Sequence, residues 1–434
     1  MKTPRRRWWV YTLLFLLVAI NYMDRSALSV ATKPIAQEFG LSPGQIGLLL
    51  STFLWSYLIF LIPAGILTDR IGTRWTNAIS IVVWSTATML VGVIRGFGGL
   101  VGARLLMGVG ESSTYPACGK VVQEWAPASE RGRVVATYNS GAYAGPALGS
   151  IVTAAMVTAY GWRTAFVVLG VVGFVWLGAW LIFFRDPAKA RWLSAAEREK
   201  ILKERGAARE AAVAADAPRV GVRELLRHRS MWGVALIQSA AVYTQYMFLT
   251  WLPGYLEQAR GLSILKSGAF TAIPYVVAMV LGITLGVVFD RMLSAEARAS
   301  GRRRLMVAGC LLVSSVVLLT PFVSSMAVLL VLISVSLTCV SSAVSMNLAL
   351  LADLLRSPRL AGRANSIAMI GGNIFGLAAP IVTGYVVQFT HSYTAAFLVA
   401  GIFLLLGTTV ALTMTRKPIG HTEIAPDAVP ATVG

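Results

Sequence analysis

A chain that keeps returning to apolar stretches of one length can satisfy them in few ways. Such windows recur here at about residues 8–30, 46–68, 77–94, 98–122, 132–156, 163–184, 231–253, 266–289, 304–323, 326–350, 361–387 and 393–414. A helix needs roughly 20 mostly apolar residues to cross the hydrocarbon core of a bilayer. The runs are continuously apolar rather than alternating, which favours helices over the strands of a barrel. Composition agrees, with 56% hydrophobic and only 13% charged residues, against roughly a quarter charged in soluble chains. Mean hydropathy is +0.69, so lipid has to be part of the solvent.

Charge is distributed accordingly. The formal net charge of +19 suggests nucleic acid until its placement is considered. The bases sit in short clusters between apolar runs: Arg5–Arg7, Arg70 with Arg74, Arg131 with Arg133, Arg302–Arg304, and Arg356 with Arg359 and Arg363. That is the positive-inside pattern, and no nucleic-acid partner is expected. The segment before the first span and the loops after the second, fourth, sixth, eighth and tenth hold nearly all the clusters. Lys33, Arg95, Arg163, Arg260 and Lys266 are the main exceptions. Both termini are therefore expected in the cytoplasm, in a multi-pass plasma membrane protein (the inner membrane in a bacterium), as a monomer in lipid.

The N-terminus imitates a secretory signal, with Arg5–Arg7 ahead of an apolar stretch from Trp8 to Ile20. The stretch runs on through Asp24 and Arg25 to about Val30, so a retained first helix is the reading and cleavage the alternative. Residues 185–230 read as a cytoplasmic linker with one or two surface helices. It holds Arg198-Glu199-Lys200 and Lys203-Glu204-Arg205, then turns Ala/Pro-rich near Ala211–Pro218. A solvated hinge is preferred to a lipid-headgroup site. The segment after Lys417, with Pro418, Pro426 and Pro430, reads as a disordered tail. Cys118, Cys310 and Cys339 lie inside apolar runs without pairing or metal-ligand spacing, and His228, His391 and His421 are scattered. Neither a disulfide framework nor a metal site is indicated.

The two halves of the chain repeat. Gln37-Glu38-Phe39-Gly40-Leu41-Ser42 aligns with Gln258-Ala259-Arg260-Gly261-Leu262-Ser263, and the same shift of 221 residues carries Gly47 to Gly268, Gly65 to Gly286 and Asp69-Arg70 to Asp290-Arg291. Gly132-Arg133 matches Gly362-Arg363 at a shift of 230. The expected fold class is an all-α integral membrane protein of twelve transmembrane helices in two six-helix pseudo-repeats. The bundles would occupy residues 1–184 and 231–415, joined by the 185–230 linker and followed by a flexible tail at 416–434.

Gly65, Asp69, Arg70, Gly72 and Arg74 spell G-x-x-x-D-R-x-G-x-R in the loop after the second span. Gly65 allows close helix approach, Gly72 a tight turn, and Asp69 can pair with a base or cap a neighbouring helix. With this motif and its remnant at Gly286, Asp290 and Arg291, the chain resembles the major facilitator superfamily over all its spans. The resemblance implies that the motif is a conformational latch and not a substrate site.

Charges within the spans are few. Asp24 and Arg25 lie in the first, Arg104 and Glu111 in the fourth, and none is comparable mid-membrane in the second half. Each costs roughly 3 kcal/mol or more there unless paired or hydrated. Arg104 and Glu111 are seven residues apart, on one helix face about two turns apart. Two acids and two bases are formally neutral, and protonating either acid leaves one positive charge. That meets the electrostatic need for coupling proton entry to anion binding, although salt bridges that merely lock helices together would look the same.

Asn21-Tyr22-Met23-Asp24-Arg25, Tyr57 and Arg104-x6-Glu111 resemble the anion:cation symporter branch of that superfamily, which includes bacterial sugar-acid/proton symporters, sialin and the vesicular glutamate carriers. The resemblance implies that Asp24 and Glu111 respond to protons, that Arg25 and Tyr57 face the substrate, and that Arg104 manages charge beside Glu111. In the second half Tyr243, Gln245, Tyr246, Ser342 and Asn373 fall where the branch lines its cavity. Tyr138 and Tyr143 lie near the same region.

Two departures qualify this resemblance. Ala142 stands where similar sugar-acid carriers place a Gln, which favours a smaller or more aromatic carboxylate. Gly141-x3-Gly145-Pro146-x2-Gly149 partly resembles a glycine motif of drug/proton antiporters, although Val134 stands at its leading glycine position. No phosphate-binding loop, nucleophile elbow or zinc spacing occurs, so neither an enzyme nor a cofactor is expected. The leading reading is a proton-coupled symporter of a small organic anion. A proton-driven exporter is the alternative, and a transporter-like receptor signalling through the linker a third.

Overall fold

The computed structural model describes residues 6–214, 222–293, 300–357 and 360–420. Arg5, Arg359, His421, Pro218, Pro426 and Pro430 lie outside those residues, and so does most of the tail read as disordered.

The described chain is almost wholly helical. The first half runs α1 (Trp8–Val30), α2 (Thr32–Phe39), α3 (Pro43–Val93), α4 (Phe97–Glu111), α5 (Thr114–Trp125), α6 (Arg131–Tyr160) and α7 (Trp162–Phe183). After α8 (Ala195–Ala214) and α9 (Val222–Leu225) come α10 (Arg229–Gln258), α11 (Ile264–Met292), α12 (Arg302–Ser314), α13 (Met326–Leu354), α14 (Ala361–Thr390) and α15 (Thr394–Met414). A tighter 3-10 segment, Ser315–Phe322, extends α12. Among the described residues nine helices are long and apolar enough to cross a membrane.

Helix α3 starts at a capping box in which Ser42 and Gln45 bond each other's backbone N–H, with Pro43 in the first turn. A straight helix of 51 residues would be about 76 Å long, far more than a bilayer's thickness. The chain breaks it at Gly72, whose φ of 80° and ψ of 162° leave the helix. Windows 46–68 and 77–94 are thus two arms of one hairpin. Window 98–122 is interrupted instead, since Ser112 and Ser113 part α4 from α5 immediately after Glu111.

Within the first half α1 packs on α6, and the arms of α3 lie against α4 and α7. In the second, α10 contacts α13, α14 and α15. The halves meet through α6 with α11, α3 with α14, and α1 with α10. The first two contacts lie at the end where α2 sits, called here the far end. A Cβ on Gly47 would stand 2.5 Å from the Pro380 carbonyl oxygen, and one on Gly268 would stand 2.4 Å from the Ala154 Cβ. The Gly44 N–H donates to Gln388 Oε1 at 3.0 Å across the same seam. At the opposite, linker end no atom comes within 4 Å of a Cβ built on Gly65, Gly286 or Gly362. The seam is tight at the far end and slack at the linker end.

The linker differs from a solvated hinge over its first part. Arg7, buried at the start of α1, bonds Glu130 at 2.7 Å and Glu197 of α8 at 2.9 Å. Trp192 stacks on Trp125 with 5.5 Å between ring centroids. Glu204 accepts the Ala128 N–H at 2.8 Å, and Leu193 and Ile201 are buried. Buried Leu193 and Ile201, with one bond from Arg7 to Glu197, hold the start of the linker on the first half.

Candidate functional site

Helix α1 delivers the central charges. The Arg25 Nε–H donates to Glu111 Oε2 at 2.7 Å, and its Nη1–H donates to the Tyr246 hydroxyl at 3.2 Å. Arg25 is 3% exposed and Glu111 0%. The guanidinium lies over the rings of Tyr22 at 4.6 Å, Phe53 at 4.8 Å and Tyr57 at 5.2 Å. A flat, weakly hydrated cation suits such a nest of aromatic faces. Since Tyr246 belongs to α10, this arginine bridges the halves.

Asp24 precedes Arg25, so it points about 100° away around α1. It is 1% exposed, and neither carboxylate oxygen has a hydrogen-bond partner. Glu111 and Arg104 are the charges it senses, and the Thr88 hydroxyl beside it is also unpartnered. Arg104 does share the Glu111 helix face, yet it makes no ion pair with it. Its Nη1–H points to Met107 Sδ at 3.0 Å, and its guanidinium lies 4.9 Å from the Phe53 ring centre. Of the four buried charges, two are therefore paired, and Asp24 and Arg104 interact only through space.

The second half contributes unevenly. The Gln245 Nε2–H donates to the Tyr143 hydroxyl at 2.9 Å, a second bridge between halves. Tyr243 turns away, edge-on to Phe403 at 5.5 Å. Ser342 donates to the Thr338 carbonyl, and Asn373 to that of Met369, each on its own helix. Tyr138 packs edge-on against Tyr115, whose hydroxyl donates to that of Tyr22 at 3.4 Å. The structure thus gathers Arg25, Glu111, Tyr57 and Tyr246, brings Asp24 and Arg104 close, and leaves Tyr138, Tyr243, Ser342 and Asn373 outside this cluster.

Phe53 and Tyr115 are the cluster members that sequence reasoning missed. Phe53 lies four residues before Tyr57 on the same helix, so helical spacing carried that signal, whereas Tyr115 follows Glu111 across the break at Ser112–Ser113 and carried none. A second omission is polar and neutral. Buried Asn347 donates to Gln238 Oε1 and to the Val234 carbonyl, both at 2.9 Å.

In the loop motif, Asp69 accepts from Lys120 Nζ at 3.0 Å, the base-pairing alternative. Arg74 donates to the Leu181 carbonyl at 2.7 Å, and Arg70 is exposed. Gly72 makes the turn, whereas Gly65 has no close neighbour in this conformation, because the linker end is slack. The side chain of Asp290 lies outside the described residues. No cluster able to ligate a metal occurs among the described residues.

A buried, ion-paired arginine at a seam between helical halves is the architecture of a membrane carrier. The sequence matches the Major Facilitator Superfamily over residues 14–299 and 297–431, and the chain belongs to that family. It is a multi-pass membrane transporter and not an enzyme. It is 31% identical over 408 residues to a protein named a probable L-galactonate transporter of Escherichia coli K12, covering 94% of this chain and 89% of that one. Identity is 32% over 417 residues to a probable sulfoacetate transporter of Cupriavidus necator, covering 94% of each. A probable galactarate/D-glucarate transporter of Bacillus subtilis 168 is 30% identical over 406 residues, with 91% and 89% covered. Among solved structures, a bacterial homologue of the human lysosomal transporter Spinster, inward-facing and occupied, superposes with a TM-score of 0.73 at 16% identity. The match covers 96% of this chain and 98% of that one, and it bears on the fold.

Proposed function

We propose that this chain is a proton-coupled symporter of a small organic anion, working by alternating access. One observation carries the reading: Arg25 is held at the seam between Glu111 of the first half and Tyr246 of the second. While Glu111 is ionised it occupies the arginine. A proton on Glu111 removes that anionic partner and leaves a guanidinium that an anion can pair with. Asp24, buried without a donor, is the second proton-responsive group, and Arg104 is the cation that both acids sense. The relatives' printed substrates are sugar acids and sulfoacetate, all anions.

The site also bears on substrate shape. One guanidinium sits among Tyr22, Phe53 and Tyr57, and Ala142 supplies no polar group. This supports a compact or aromatic carboxylate, or a sulfonate, over a polyhydroxylated acid. Tyr57, Gln245 and Tyr246 are the proposed contacts, with Tyr138, Tyr243, Ser342 and Asn373 available only if the halves move.

For the architecture we infer twelve spans in two six-helix pseudo-repeats, 1–184 and 231–415. The two arms of α3 count separately, α4 and α5 together form one span, and α10 adds another to the nine long helices. The basic linker end is assigned to the cytoplasm of a bacterial inner membrane, with both termini there and the protein monomeric. The segment that motivates an exporter has a packing use instead, because a Cβ on Gly145 would stand 2.4 Å from the Ala19 carbonyl oxygen of α1.

The test is uptake into proteoliposomes under an imposed pH gradient, with the anion first chosen by a thermal-shift screen of carboxylates and sulfonates. Wild-type protein should accumulate the anion when the outside is acidic. Glu111→Gln and Asp24→Asn should bind and exchange it without accumulation, and gradient-driven accumulation surviving in both variants would sink the reading.

A further inference from the structure

Glu257 stands apart from every group used so far. It lies in the last turn of α10, is 4% exposed, and neither carboxylate oxygen has a hydrogen-bond partner. It follows Tyr246 by eleven residues, close to three helical turns, so it shares the face that meets the first half, roughly 16 Å nearer the far end. Thr250 lies between them on that face. The titratable and charged groups nearest it in the chain and across the seam come from three other helices and the turn after α10. Lys33 of α2 is the cation it senses across the seam. Tyr393, at the start of α15, gives its hydroxyl hydrogen to Gln258. Arg260, on the turn after α10, is committed to the Tyr255 hydroxyl and to the carbonyls of Thr320 and Val323. Lys266, in the first turn of α11, is exposed.

We propose that Glu257 is a further proton-binding group of the transport cycle, and that closing the far-end seam requires it to take up a proton. A carboxylate sealed away from water without a donor is costly when ionised and tolerable when protonated. With the far end open, water can support the ionised form, and Lys33 eases its burial only while the seam is closed. Acid outside then favours closure, and base favours opening. Glu257 thus senses the pH on the far side before the substrate reaches Arg25. This rests on the alternating-access reading above, but it concerns the gate and not the Arg25–Glu111 pair.

The experiment reads the gate directly, without transport. Thr250→Cys is made in a background with Cys118, Cys310 and Cys339 replaced by Ala, and its labelling rate with a membrane-impermeant maleimide is followed against external pH. One-proton linkage changes the open-to-closed ratio by about tenfold per pH unit between the group's open-state and closed-state titrations. Wild-type Glu257 should give labelling that falls with acidification along such a slope, after correction for the reagent's own pH dependence. Glu257→Gln, isosteric with the protonated form, should label slowly and lose that component. Lys33→Gln, an exposed change that leaves the fold alone, removes the cation that eases the ionised acid in the closed seam, so it should raise labelling at the alkaline end. Glu111→Gln should keep the slope even if it abolishes accumulation, which separates this proposal from the coupling mechanism. Superimposable profiles for wild type and Glu257→Gln, or alkaline labelling no higher in Lys33→Gln than in wild type, would overturn it.

Discussion

The two halves solve the same burial problem with different chemistry. The first carries two acids and two bases at its centre and pairs only Arg25 with Glu111. In the second, the shift of 221 residues carries Asp24-Arg25 to neutral Gln245-Tyr246, and about two turns nearer the linker end buried Asn347 bonds Gln238. At the linker end the contrast reverses. A shift of 229 residues carries Arg74 to Arg303 and Glu124 to Asp353. The second-half pair forms an ion pair at 2.5 Å. Their first-half counterparts stay apart, with Arg74 on the Leu181 carbonyl and Glu124 accepting from the Thr73 hydroxyl. At these matched rim positions the second half forms an ion pair and the first does not, although Arg7–Glu130 and Asp69–Lys120 pair elsewhere on the first half's rim. The first half thus concentrates its buried charge at the seam's centre, whereas the buried acid of the second half, Glu257, lies at the far end.

The sharpest way to break this comparison is to exchange losses. Arg25→Ala should abolish transport and leave Glu111 buried without its partner, costing about 3–5 kcal/mol. Thermal unfolding in detergent and radiolabelled uptake would show it. Removing the neutral pair with Asn347→Leu should reduce uptake less and leave its pH dependence unchanged; an altered pH profile would mean the second half shares the coupling.

A smaller effect is expected at the rim. Arg303→Ala strips a partly buried carboxylate of its partner and should cost about 1–3 kcal/mol, whereas Arg74→Ala loses a bond to a carbonyl and should cost nearer 1 kcal/mol. Equal losses in thermal melts would erase the distinction between the rims.

Between the halves, Gly268→Val places a side chain against Ala154 and Ser150. Overpacking of about 1–3 kcal/mol at the far end should favour the state in which that end is open. Maleimide labelling of a cysteine at position 250 should rise accordingly.

The smallest expected effect is at Glu38. Its hydrogen bond from Arg163, at 2.6 Å, holds the carboxyl below the usual carboxylate range. A lowered native pKa contributes stability that is present above the unfolded value and lost as pH falls through the native one. Wild-type melting temperature should therefore approach that of Glu38→Gln in acid and exceed it slightly near neutrality. The pair is exposed, so high salt should shrink the difference.

Much of this was legible in the sequence. The spans follow from apolar length, and the family from the G-x-x-x-D-R-x-G-x-R loop. The central cluster follows from the rarity of charge inside the spans. Pairing was less legible, because seven residues place Arg104 and Glu111 on one face without saying that α1 would bring Arg25 to the glutamate first. Tyr243, Ser342 and Asn373 stand outside the central cluster because a polar residue on a span can bond its own helix or turn into its own bundle. The docking of α8 was hidden as well, since Leu193 and Ile201 stand out only once Trp125 and Arg7 are brought alongside.

The arginine at the seam has one more consequence. Two of its donors are bonded to side chains of the protein itself and its buried Nη2 has no partner, so an anion that pairs along either edge of Arg25 would arrive partly as a competitor. For a bidentate ligand selectivity would then be a contest, with Nη2 open but a carboxylate to outbid at Nε or a phenol at Nη1. Acidity changes the strength of the incumbent and leaves the shape of the site alone. Rival anions should therefore keep their rank order as pH changes, while all of them gain or lose affinity together.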